Sequence, residues 1–164
     1  MNHEISSLIR SALFVSDLKR STAFYAALGL TEVYFEGELD AASTSAALKT
    51  PSDAVCRCRI VKPPGRPNTG MVGLFQLDPP LSAIPSPEGP PRMGEVALVF
   101  YAQPIAEVVD AARAAGATWS PDPTLFVMPH RQQLEVCLRD PDGVLINLID
   151  RPPAEQDRTA PVGG

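Results

Sequence analysis

The stretch "ALFVSDLKRSTAFYAALG", Ala12–Gly29, decides the architecture. Its first residues close an alternating apolar run, "LIRSALFVSD", that reads as a strand. Helical spacing then takes over. Leu18, Ser21, Tyr25 and Leu28 recur on one face, Ser16 is placed to cap the start, and Gly29 to end the helix in the left-handed conformation. Working outward, "LTEVYFEG" is a second strand broken by Gly37. "AVCRCRIVK" and "GMVGLFQL" supply two more, separated by the turn-rich "PPGRPNTG". The order is β-α-β-β-β.

That order returns further along the chain. "GEVALVFYA" is a strand, and "QPIAEVVDAARAAGA" is a helix. Pro104 suits its first turn, Ile105, Val108, Val109 and Ala112 line one face, and Gly116 closes it. Strands follow at "TLFVMP", "QLEVCLRD" and "VLINLID". The two closing glycines lie 116 − 29 = 87 residues apart, and the halves end alike, "LFQLDPP" beside "LINLIDRPP". The expectation is an α+β fold of two tandem βαβββ modules, residues 1–78 and 93–151. Between them a linker, 79–92, is too proline-rich for a helix or a central strand. The tail 152–164 reads as disordered. Residues 38–54, with "ELDAASTSAALKTPSD", fall outside the repeat and read as a weakly helical lid or surface excursion.

Bulk properties narrow the function. Of 164 residues, 45% are hydrophobic and 20% charged, the balance of a soluble globule. A net charge of −5 argues against nucleic acid, whose binders carry basic patches. No apolar run approaches the roughly 20 residues that span a bilayer, and "MNHEISSLIR" has no secretory h-region. Three cysteines without a disulfide-framework spacing fit a cytoplasmic protein. Cys56 and Cys58 share a strand face and read as packing residues.

"ALFVSDLKRSTAFYAALGLTEV" and "DPDGVLINL" together resemble the first strand and helix, and the last hairpin and strand, of the vicinal oxygen chelate superfamily. That group includes glyoxalase I, extradiol dioxygenases, fosfomycin-modifying enzymes and bleomycin-resistance proteins. The resemblance spans roughly residues 8 to 150 and implies that the strands curl into an open mixed sheet around a pocket. It also implies a divalent metal, held by His and Glu on the first and last strand of each half. This chain departs from the pattern position by position, with Glu95 the one decent ligand remaining of four. Arg10 stands in the first strand, Gly73 or Leu74 (the register is ambiguous by one) in the fourth, Glu95 at the start of the fifth, and Asn147 in the last. A guanidinium has five donors and no lone pair, glycine and leucine offer nothing, and an amide replaces a carboxylate poorly. No metal and no other cofactor is therefore expected.

Arg10 and Glu95 read as equivalent positions of the two halves, close across the pocket floor. They form either a structural ion pair or a working site. In the second case Arg10 stabilises an anionic oxygen, Glu95 moves a proton once burial raises its pKa, and Asn147 orients the substrate. Gln133, Glu135, Cys137 and Arg139 share one face of their strand, with Glu135 a second candidate base. His130 and Arg131 sit at the rim, where Arg131 suits an anionic ligand. Phe24, Tyr25 and Tyr101 read as core, and Trp119 as a half-exposed cover. The enzyme reading is a metal-independent lyase or isomerase acting on a polar or anionic carbonyl compound. The alternatives are a non-catalytic protein that sequesters an antibiotic or metabolite, and a metal-dependent glyoxalase or dioxygenase. A homodimer is expected, since open sheets leave edges to cover.

Overall fold

The computed structural model describes residues 4–83 and 89–157. The chain forms two compact units, Met1–Ile84 and Pro85–Gly164. In the first, β1 (Arg10–Phe14), α1 (Leu18–Ala27), β2 (Glu32–Leu39), α2 (Ala41–Leu48), β3 (Val55–Lys62) and β4 (Met71–Asp78) build a sheet of order β1-β4-β3-β2. In the second, β5 (Ala97–Tyr101), α3 (Ile105–Ala114), β6 (Thr124–Met128), β7 (Arg131–Arg139) and β8 (Leu145–Ile149) build a sheet of order β5-β8-β7-β6. In each, one outer strand runs parallel to its neighbour and the other pairings are antiparallel. Both sheets are open, and the expected tandem of βαβββ units stands.

Local chemistry explains the boundaries. Asp17, not Ser16, caps α1: its carboxylate accepts the Arg20 N–H at 2.9 Å, while the Ser16 hydroxyl accepts from Arg20 Nη2 at 2.8 Å. An aspartate one residue nearer the first turn reaches its free amides better. Gly29 ends the helix at φ +97°. The segment between β2 and β3 is an ordered helix, α2, capped by Asp40 through the Ser43 N–H at 2.8 Å and packed beside β3.

Alternation divides each sheet into two faces. In the first unit α1 packs on β3 and β4 and buries Ser21, Phe24 and Tyr25. On the opposite face Ala54, Cys56, Cys58, Ile60, Met71, Phe75 and Leu77 form a buried apolar cluster. In the second unit α3 buries Ile105, Val109 and Ala112, and the strands bury Val136, Leu138, Ile146 and Leu148. The intervening residues of β7 and β8 (Gln133, Glu135, Cys137, Asn147) make the other face.

Three expectations need correction. Pro153–Asp157 form a 3-10 helix beside β5, where disorder was expected. The Arg151 guanidinium anchors it by stacking 5.5 Å above the Tyr101 ring and bonding Glu155. Residues 158–164 of the expected tail, and 84–88 of the linker, lie outside the described residues. The second unit also begins upstream of residue 93, because Arg139, 1% exposed, binds the linker. Its Nε donates to Gly89 O at 2.9 Å and its Nη2 to Pro90 O at 3.1 Å. Finally, Glu95 precedes β5 rather than starting it.

Candidate functional site

The two ladders settle which positions correspond. Ala12 faces Gly73 in the first unit, and Val99 faces Asn147 in the second, each as the third pair of a parallel strand couple. The counterpart of Arg10 is therefore Ala97, the first residue of β5. Glu95 lies two residues outside, so the expected equivalence of Arg10 and Glu95 is wrong by two positions. The chain's own 87-residue offset gives the same answer, since 10 + 87 = 97. The register also resolves the ambiguity in β4. Gly73 shares a face with Arg10, whereas Leu74 is fully buried on the other side.

Arg10 sits at the edge of the apolar cluster. A Cβ placed on Gly73 would stand 2.9 Å from Phe75 Cε2 and 3.4 Å from Arg10 Cδ. The bare glycine is what lets the Phe75 ring and the arginine stem lie against the strand. The Arg10 residue is exposed, and its guanidinium makes no hydrogen bond or ion pair among the described residues. Phe14, 44% exposed and on the same strand face, stacks on Phe75 with ring centroids 5.7 Å apart. Burial pushes the neighbouring Cys58 thiol up to about 11, helped by Cys56 and opposed by the Arg10 charge.

Glu95 is engaged differently from the expectation. Its Oε2 accepts from Arg139 Nη2 at 2.9 Å and from the Arg92 N–H at 2.8 Å. The Arg139 bond, followed by the Arg92 amide, holds its carboxyl below the usual range, opposite to the rise that a general base at neutral pH needs. Arg139 itself, grouped by sequence with the residues of an open face, is a buried anchor that also binds Gly143 O at 2.9 Å. Nothing in the sequence distinguished it from Gln133 or Glu135, which alternate with it.

On the second unit's open face, Asn147 donates to Val136 O at 3.3 Å and to Cys137 Sγ at 3.6 Å. Glu135, one row along the sheet beside Ile149, accepts from Gln133 Nε2 at 2.5 Å. Arg131 opens β7 on the same face, and its Nε and Nη1 are buried without an acceptor. His130 is exposed in the turn before it. Tyr101, expected as core, is half-buried beneath Arg151, and Trp119 is half-buried as expected. His3 lies outside the described residues.

The side chains present do not fit the divalent ion that the resemblance implies. Arg10 has no lone pair, Gly73 has no side chain and no room for one, Glu95 is bound to arginine, and Asn147 is neutral. Among the described residues, no three His, Cys, Asp or Glu side chains gather as such an ion requires. No helix among them is long and apolar enough to cross a membrane.

Comparison with solved structures gives the fold its context. A glyoxalase family protein from Bacillus cereus superposes with a TM-score of 0.74 at 15% identity, covering 90% of this chain and 95% of that one. The fosfomycin resistance protein FosX from Listeria monocytogenes, solved with Mn(II) and 1S,2S-dihydroxypropylphosphonic acid, gives 0.55 at 15% identity, with 94% and 100% covered. A glyoxalase/bleomycin resistance protein from Albidiferax ferrireducens gives 0.51 at 20% identity, covering 87% and 97%. No curated protein matches the chain. The model of the glyoxalase/bleomycin resistance protein/dioxygenase superfamily matches residues 7–148, and the chain belongs to that superfamily.

Proposed function

We propose that this chain is a metal-independent member of its superfamily that binds a small polar or anionic molecule, with Glu95 serving structure rather than proton transfer. One observation carries the reading: Glu95, the one acidic residue among the four ligand positions read from the sequence, lies two residues outside the ladder position that Ala97 fills and is held by Arg139 and the Arg92 amide. Binding contacts are assigned unit by unit: Arg10 in the first, and Asn147, Gln133, Glu135, Arg131 and His130 in the second. This favours sequestration over catalysis.

A lyase or isomerase remains the second reading, because Glu135 and Asn147 occupy neighbouring rows of one half-buried face. Glu135, not Glu95, would then carry the proton. The three free thiols favour a reducing cytoplasm. The exposed β6 edge, with Leu125, Phe126 and Val127, favours a homodimer, which sedimentation at micromolar concentration tests.

A thermal-shift screen of metabolites and antibiotics, run with and without chelator, tests the main reading. A ligand that stabilises the native state raises the melting temperature by mass action, and the rise is expected to survive chelation. One tightly held Zn, Ni, Mn or Fe per purified chain would overturn it. So would turnover lost in Glu95→Gln with ligand binding intact.

A further inference from the structure

In the first unit Arg10, without an ion-pair partner among the described residues, borders a buried apolar cluster and an exposed aromatic ring. The Arg10 stem lies along Gly73 beside the Phe75 ring, and Phe14 extends that surface as an exposed aromatic ledge. No carboxylate neutralises the guanidinium among the described residues. A charged group anchored next to apolar area, with its donors free, complements a molecule built the opposite way: an oxyanion joined to an apolar body.

We propose that the Arg10–Gly73–Phe14 surface binds amphipathic oxyanions, with the carboxylate or phosphate on Arg10 and an aromatic or aliphatic body on the exposed Phe14 ring, which the buried Phe75 backs. This rests on the binding reading above and names its ligand class. Gly73 is a positioning residue here. A side chain at that point would displace both the arginine stem and the Phe75 ring, and so misplace the anchor relative to the ledge.

Amide NMR titration of the full chain tests the proposal, with benzoate and phenyl phosphate as anionic probes, benzyl alcohol as the neutral analogue and benzylamine as the cationic one. Saturable shifts are expected for the anions at Gly73, Phe75 and the Arg10 Nε–H, weakening as salt is raised. The two anions decide between carboxylate and phosphate. Arg10→Gln should weaken binding roughly tenfold or more, as a lost charge-assisted bond predicts. Arg10→Lys should weaken it less, and Gly73→Ala should weaken it with Arg10 intact. Unchanged melting temperatures for the Arg10 variants show that folding is not the cause.

Equal affinity for benzyl alcohol, tighter binding of benzylamine, shifts mapping elsewhere, or indifference to Arg10→Gln would each overturn the assignment. Saturable but Arg10-independent binding would do so while leaving the metal-independent binding reading intact. A resident metal would sink that reading while leaving the Arg10 result to stand.

Discussion

The two units lay down the same strand order and dress it in opposite ways. On the first, the face beside Arg10 is an apolar cluster, with the Arg10 guanidinium at its edge lacking an ion-pair partner among the described residues. On the second, the face around Asn147 is polar and internally hydrogen-bonded, Asn147 to Val136 and Cys137, Gln133 to Glu135. Corresponding ladder positions, Gly73 and Asn147, thus carry no side chain suited to a divalent ion, for different reasons. In the first unit neighbouring side chains have packed into the place, and in the second a neutral amide holds it. The two units share a ladder register and present chemically different faces.

The largest test of that contrast is Arg139→Met. It removes the buried guanidinium from Gly89, Pro90 and Gly143 and leaves their carbonyls short of donors. A loss of about 3 kcal/mol, or a fall in melting temperature of about 10 °C, is expected by calorimetry. A fall of about 1 °C would show that the linker is not part of the second unit. Next comes Gly73→Ala against Asn147→Ala. The new methyl meets Phe75 at 2.9 Å, so crowding should cost about 1–2 kcal/mol. Losing the long Asn147 bonds should cost about 1 kcal/mol or less. The reverse order, read from denaturant midpoints, would undo the claim that packing guards one face and polar bonds the other.

The smallest effect is in acid. Glu95 titrates lower in the folded chain than the roughly 4.3 of an unfolded glutamate. Its stabilisation is therefore complete above that value and is lost as pH falls through the depressed one. The melting temperatures of the native chain and of Glu95→Gln should converge as pH falls below the unfolded value and through the depressed one. A gap that stays constant into stronger acid would mean that the Arg139 bond contributes nothing.

Periodicity and turn chemistry made the fold legible. Helical spacing, the glycine stops and the paired "LFQLDPP" and "LINLIDRPP" endings mark both βαβββ units. The site was less legible, for identifiable reasons. Glu95 reads as a strand residue because "GEVALVFY" is continuous in its apolar character, whereas β5 starts at Ala97 and Glu95 is held by a long-range bond to Arg139. Alternation put Arg139 on an open face, but its burial comes from linker carbonyls that the local pattern does not encode. The free state of Arg10 is equally nonlocal. No sequence rule says that no acid will come within reach.

The hold of Arg139 on Gly89 and Pro90 bears on dissecting the chain. Expressing the second half from residue 93, where the proline-rich stretch ends, would strip that arginine of two of its acceptors and leave a buried cation wanting. A half-length protein begun ahead of Gly89 retains them, so the hydrogen-bonded boundary of the second unit lies inside what looks like a spacer.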